Sequence, residues 1–234
     1  MKPALRHQYL DAMGIQRWVP RDAGIQTDSR VTAEVTPPKS IPGTDDINSL
    51  DWDSLRLKVE SCTACGLHES RTQTVFGVGN TQADWMIIGE APGAEEDRQG
   101  EPFVGRAGQL LTAMLQAIGL QRDQVYIANM LKCRPPGNRD PHADEIEHCM
   151  KYLYRQIDLI QPKMILVVGR IAAQSLLHTS QPVGKLRAKL HKLADREIPL
   201  VVTYHPAYLL RSPAEKRKAW QDLCLARAAL EKNA

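Results

Sequence analysis

Four apolar runs of strand length, Ala83 to Gly89, Val125 to Met130, Met164 to Val168 and Leu200 to Tyr204, alternate with helical patterns along this chain. Runs apolar on consecutive residues need cover on both faces, and intervening helices supply the crossovers of parallel β-α-β units. An α/β fold with a mostly parallel four-stranded sheet, covered on both faces, is therefore expected. Its helices should span Ala107 to Ile118, a segment capped by Asp140, opened by Pro141 and running to about Ile160, Ile171 to Leu177, and Pro213 to about Leu230. Lys185 to Lys192 reads as a β-hairpin or extended excursion.

The chain's 234 residues allow one such domain, placed at 51–234, and an appendage. Residues 1–22 carry a helix-like apolar face with Leu5, Tyr9, Leu10, Met13, Ile15 and Trp18. Residues 23–50 are rich in Thr, Pro, Ser, Asp and Gly, with Pro37-Pro38 and Pro42-Gly43 as breakers, and read as a flexible linker. No stretch approaches the roughly 18 apolar residues of a membrane span, and Met1 to Met13 holds no apolar signal core, so a cytoplasmic protein with no membrane partner is expected. The net charge of +3 permits a nucleic-acid partner without demanding one.

Cysteine numbers only five, and four of the five fall in a suggestive pattern: the C-x-x-C pair Cys62 and Cys65, then Cys133 and Cys149. In a protein with no secretory signal such thiols point to metal or redox chemistry rather than disulfides. Zinc ribbons close with a second C-x-x-C, whereas the last two cysteines here are single and widely separated, which suits an all-thiolate iron–sulfur cluster better. Cys224, near Trp220 and Leu223 in the last helix, reads as a small buried hydrophobe.

Ligands of an open parallel sheet bind outside the carboxyl ends of the strands. Glu90, Asn129, Gly169 and His205 occupy those ends, beside the G-E-A-P-G turn at Gly89 to Gly93. Glu90, Asn129 and His205 each have an ordinary reading alone: an exposed turn acid, a satisfied loop amide, a packed ring before Pro206. Their shared topological position points to one polar pocket.

Four segments, G-E-A-P-G (Gly89 to Gly93), E-P-F-V-G-R-A-G (Glu101 to Gly108), N-M-L-K-C-R-P-P (Asn129 to Pro136) and H-P-A-Y-L-L-R (His205 to Arg211), together resemble the family four uracil-DNA glycosylases. The resemblance spans Asp51 to Leu230 and includes the four cysteines, which in that family hold a [4Fe-4S] cluster. It implies a three-layer α/β/α fold and excision of uracil from DNA.

A glycosylase must extrude its nucleotide, so it needs a pocket for one base and a wedge for the gap. By resemblance Phe103, one of two phenylalanines, stacks on uracil beside Gly89 and Ala91, Asn129 reads the base edge, and His205 stabilises the leaving anion. A loop anchor folded onto the core is the alternative for Phe103. Leu209 and Leu210 are candidates for the wedge and Arg211, Arg134 and Arg139 for phosphate contacts, with plain helix-entry packing as the alternative for the leucines. The best-known uracil glycosylases carry an acidic or amide residue where this chain has Ala91, which leaves Glu90 a candidate either to orient the water or to exclude the thymine methyl group, with Glu96 or Asp97 as candidates to assist. A cross-linking uracil-binding relative has G-E-Q-P-G and an inserted basic loop ending in histidine. This chain has neither, which favours hydrolysis.

The segment L-D-A-M-G-I-Q-R-W-V-P-R (Leu10 to Arg21) resembles the amino-terminal peptide of the psi subunit of the DNA polymerase III clamp loader. That likeness implies contact with clamp-loader subunits through residues 1–22, and an alternative reading of the chain as a replisome binding subunit with a retained glycosylase fold. The segment folding back on its own domain is the competing expectation.

Overall fold

The computed structural model describes residues 46–233. The amphipathic segment 1–22 and most of the 23–50 linker lie outside the described residues. Six strands form one sheet: β1 (Val78–Gly79), β2 (Trp85–Gly89), β3 (Tyr126–Asn129), β4 (Met164–Val168), β5 (Leu190–Leu193) and β6 (Ile198–Thr203), in the order β1-β3-β2-β4-β6-β5. The four inner strands are the expected ones and all run parallel, while β1 and β5 add antiparallel edges. The basic stretch after Lys185 thus splits into a short helix, Val183–Leu186, and edge strand β5.

Alternation along the strands sorts the core into two layers. Met86, Ile88, Ile165, Val167, Leu200 and Val202 face the long helix Ala143–Ile160 and the helix Arg170–Leu176, against Leu153, Ile157 and Ala172. Trp85, Ile87, Ile127, Leu166, Val168 and Val201 face the other way, against Leu111 and Leu115 of helix Arg106–Ala117 and Leu223 and Ala226 of helix Lys216–Asn233. The result is the three-layer α/β/α arrangement. No helix among the described residues is long and apolar enough to cross a membrane.

A third cluster packs helix Trp52–Glu60 through Leu55 and Val59 against Tyr152 of the long helix. Ile47 is buried in it, and Arg155 donates to the carbonyl of Leu50 at 2.7 Å, so these two residues belong to the domain rather than to the linker. The long helix is capped differently from expectation: His142 is the cap residue and its N–H donates to Glu145 Oε2 at 2.8 Å, while Asp140 pairs with Arg170.

In the last helix, Cys224 is exposed, against its expected burial, and Trp220 is 46% exposed. The inward positions are Ala219, Leu223, Ala226 and the carboxylate of Asp222. Asp222 is fully buried and accepts from Thr203 Oγ1 at 2.9 Å, Ala188 N at 3.0 Å and Arg187 Nε at 3.1 Å. It ties the end of β6 to the segment entering β5. Breaking a buried pair strands the surviving charge, so Asp222→Ala should lose about 3–5 kcal/mol of stability in urea denaturation. A loss below about 1 kcal/mol would show that Arg187 finds water instead.

Candidate active site and cysteine centre

At the carboxyl edge of the inner strands lies an open cavity of about 480 Å³. Its lining includes Glu90, Ala91, Glu96, Phe103, Asn129, Asn138, Arg139, His205, Tyr208 and Arg211. Glu90 follows β2, Asn129 ends β3, and His205 follows β6, so three of the four expected strand-end residues converge, while Gly169 is not part of the lining.

Close backbone packing builds the floor. A Cβ on Gly89 would stand 2.4 Å from Asn129 Oδ1 and 2.7 Å from Phe103 Cζ, so only glycine lets both side chains approach. Phe103 has φ of 56°, a left-handed conformation costly for a non-glycine residue. Its loop is held by Glu96, whose Oε1 accepts from Val104 N at 3.1 Å and Gly105 N at 3.4 Å while Oε2 accepts from Gly93 N at 3.1 Å. From below, a Cβ on Gly108 would fall 1.7 Å from the Phe103 carbonyl oxygen, so glycine there lets the helix lie against this loop. The Phe103 ring is 7% exposed, joins the core, and stacks on His205 at 5.6 Å with 30° between planes. Core anchor and cavity wall are the same side chain.

His205 caps helix Pro206–Arg211, with Nδ1 accepting from Ala207 N at 3.1 Å. That bond makes Nδ1 the acceptor and places the ring proton on Nε2. Burial pushes the imidazole down to about 4, with Arg211 adding to the fall and Glu96 opposing it, so the ring is neutral near pH 7. Asn129 is 2% exposed, and its amide oxygen is buried with no hydrogen-bond partner in the protein. Such an orphan acceptor costs on the order of 1–3 kcal/mol unless a ligand satisfies it. Burial pushes the Glu90 carboxyl up to about 7; Asp140 adds to the rise and Arg170 opposes it.

The four cysteines line a second cavity, together with Arg71, Lys132 and Tyr152. Arg71 Nη1 donates to Cys133 Sγ at 3.0 Å, the Lys132 amide to Cys149 Sγ at 3.2 Å, and the Tyr152 hydroxyl to Cys62 Sγ at 3.2 Å. Among the described residues no three His, Cys, Asp or Glu side chains gather closely enough to hold one metal ion.

A model of the uracil DNA glycosylase superfamily matches residues 76–224. The chain belongs to this superfamily. It is 44% identical over 176 residues to the type-4 uracil-DNA glycosylase of Archaeoglobus fulgidus, covering 73% of this chain and 88% of that protein. It is 46% identical over 177 residues to the type-4 enzyme of Sulfurisphaera tokodaii, covering 73% and 80%, and 40% identical over 182 residues to that of Pyrobaculum aerophilum, covering 75% and 93%.

Within this superfamily member, several sequence expectations move. Leu209 is 1% exposed inside the core, because it falls on the inward face of its short helix, and so is no wedge. Leu210 is half-buried and does not line the cavity. Arg139 lines the cavity, but its guanidinium is engaged by Glu145 through two bonds of 2.9 and 2.6 Å rather than left free for phosphate. Arg134 binds Asn138 Oδ1 at 2.8 Å and is not part of the lining. Asp97 is buried, accepting from Thr72 N with both oxygens, which removes it from the cavity. Tyr208 and Asn138 are lining residues that the sequence reading did not single out. The position of Tyr208 between Pro206 and Arg211, in the same short loop as His205, was the available signal.

The raised Glu90 carboxyl sets a pH signature. The folded state holds its proton more tightly than the unfolded chain, so its contribution is present below about 4.5 and is lost as pH rises through about 7. Glu90→Gln keeps a neutral group there at every pH. It should melt above the wild type at pH 8 and coincide with it near pH 4.5; equal melting temperatures at both pH values would show the carboxyl to be well solvated.

Proposed function

We propose that this chain hydrolyses the N-glycosidic bond of uracil in DNA, releasing free uracil and leaving an abasic site. The observation that carries the reading is the partnerless amide oxygen of Asn129, buried in the wall of a cavity whose other sides are an aromatic ring and a neutral imidazole. An extruded uracil offers N3–H to that acceptor; cytosine has no hydrogen at N3 and meets an acceptor with an acceptor. Phe103 gives the base a platform whose edge is propped by His205.

As the C1′–N1 bond breaks, its electron pair passes to uracil, which leaves as the anion, and water adds to C1′ and gives its surplus proton to solvent. Charge accumulates at uracil O2, and the Nε2–H of His205 is the donor suited to it. Because the ring is already neutral with its proton fixed on Nε2, it stabilises the anion without transferring a proton. Glu90, poised near neutrality, is the carboxyl on hand to orient the water. Arg211, exposed on the cavity rim, remains the free guanidinium for a phosphate.

Cys62, Cys65, Cys133 and Cys149 are the ligands we assign to a [4Fe-4S] cluster. They line one cavity, and three of them already receive N–H or O–H donors of the kind that support sulfur-bound charge. Held by Cys62 and Cys65 near the start of the domain and by Cys133 and Cys149 behind Asn129, such a cluster would cross-link these two segments. The segment 1–22, for which contact with clamp-loader subunits is expected, and most of the 23–50 linker lie outside the described residues.

Two experiments test these readings. In single-turnover assays on uracil-containing DNA the wild type should release uracil and spare thymine and cytosine. His205→Ala should be slower by about 10²- to 10³-fold, the usual loss for one anion-stabilising donor, with DNA affinity little changed. A protein that binds uracil-DNA and never releases the base would be a binding subunit instead. Anaerobically purified protein should carry about four irons per chain and a brown colour. Alanine at Cys62, Cys65, Cys133 or Cys149 should abolish both, whereas Cys224→Ala leaves them, since Cys224 is exposed on the last helix. Stoichiometric zinc without visible absorbance would sink the cluster.

A further inference from the structure

Extruding a base from a duplex leaves a gap that closes again unless a side chain fills it. The leucines beside His205 are poor candidates, since Leu209 is 1% exposed in the core and Leu210 lies outside the cavity lining. Tyr208 is different. It is 36% exposed, one of four large apolar side chains so exposed among the described residues, and it alone of the four lines the cavity. It stands three residues after His205 on the same short helix, with Arg211 one turn further along the rim.

Its support is rigid. The Tyr208 ring packs on Tyr204 with centroids 5.0 Å apart and 36° between planes. The Arg187 guanidinium sits over the Tyr204 ring at 5.9 Å, and Arg187 is itself anchored to buried Asp222 at 2.9 Å. A ring so buttressed loses little conformational entropy when it meets DNA, and its face stacks on any base regardless of sequence. The ring stands exposed at the cavity mouth while the next residue, Leu209, is buried in the core.

We propose that Tyr208 is the wedge: its ring enters the space vacated by the extruded uracil and stacks on the flanking base. This rests on the glycosylase reading above. It makes Tyr208 a positioning residue that matters where a stack must be opened and little where none exists.

The test uses the full-length cluster-bearing protein in single-turnover release from uracil in duplex and in single-stranded DNA. Tyr208→Ala should slow duplex release by on the order of tenfold to a hundredfold, the worth of one base–aromatic stack, while single-strand release stays within about threefold. Tyr208→Phe should match the wild type on both, because the ring and not the hydroxyl acts. A fluorescent base analogue beside the uracil should be less quenched in the Tyr208→Ala complex than in the wild-type complex. Equal slowing on both substrates, no slowing on duplex, or a duplex-selective loss in Leu210→Ala instead would overturn the assignment. Absence of uracil release by the wild type from either substrate would fault the glycosylase reading itself, so the two failures are distinct.

Discussion

The side-chain ammonium of Lys132, 1% exposed, connects the two halves of this domain's chemistry. It donates to the carbonyls of Asn129 at 2.8 Å and Phe76 at 3.2 Å and to Gln156 Oε1 at 2.6 Å, three neutral acceptors in the interior. A buried cation is expensive unless its donors are satisfied and opposite charge is near. Burial accordingly pulls Lys132 down to about 8, with Cys149 and Cys133 opposing the fall. Its own amide donates to Cys149 Sγ, and its neighbour in sequence is Cys133. One residue therefore holds the backbone of Asn129 and stands between the thiols of Cys133 and Cys149. The cysteine cavity and the backbone of Asn129 are thus linked through one side chain.

The opposite wall is held by a carboxylate and by absent side chains. Glu96 spends its oxygens on backbone N–H groups of the turn after Glu90 and of the loop carrying Phe103, which ties the two together. Gly89 and Gly108 remove the atoms that would otherwise push that loop away. The left-handed backbone at Phe103 is strained, and it persists because these contacts over-determine it.

Much of this was legible in the sequence, where periodicity or chemistry was unambiguous. The inner strands are continuous apolar runs because both faces are covered, and the strand-end residues Glu90, Asn129 and His205 follow from topology. The two edge strands were not legible. Val78–Gly79 is two residues long with a glycine at φ of 120°, and Leu190–Leu193 alternates with Lys192 and carries an exposed leucine, so neither shows an apolar run. Helix faces misled at single positions: Asp222 takes an inward site because Thr203, Arg187 and Ala188 satisfy it, and Cys224 turns outward. Leu209 looked like a wedge because hydrophobicity alone does not distinguish a residue that points to DNA from one that points to the core. The partner of Arg139 was hidden because it is fixed by how the segment before the long helix folds back on Glu145.

The hydrogen bond from the Ala207 amide to His205 Nδ1 fixes more than a tautomer. A histidine that hands over its proton in each cycle must be recharged from solvent before the next substrate arrives. An imidazole pinned as a permanent Nε2–H dipole has no spent form. Under the proposed chemistry the pyrimidine departs as an anion and acquires its hydrogen in bulk water, and the pocket it leaves is already in its starting state. The next substrate then meets the same Nε2–H donor, with no proton to be returned to His205 first.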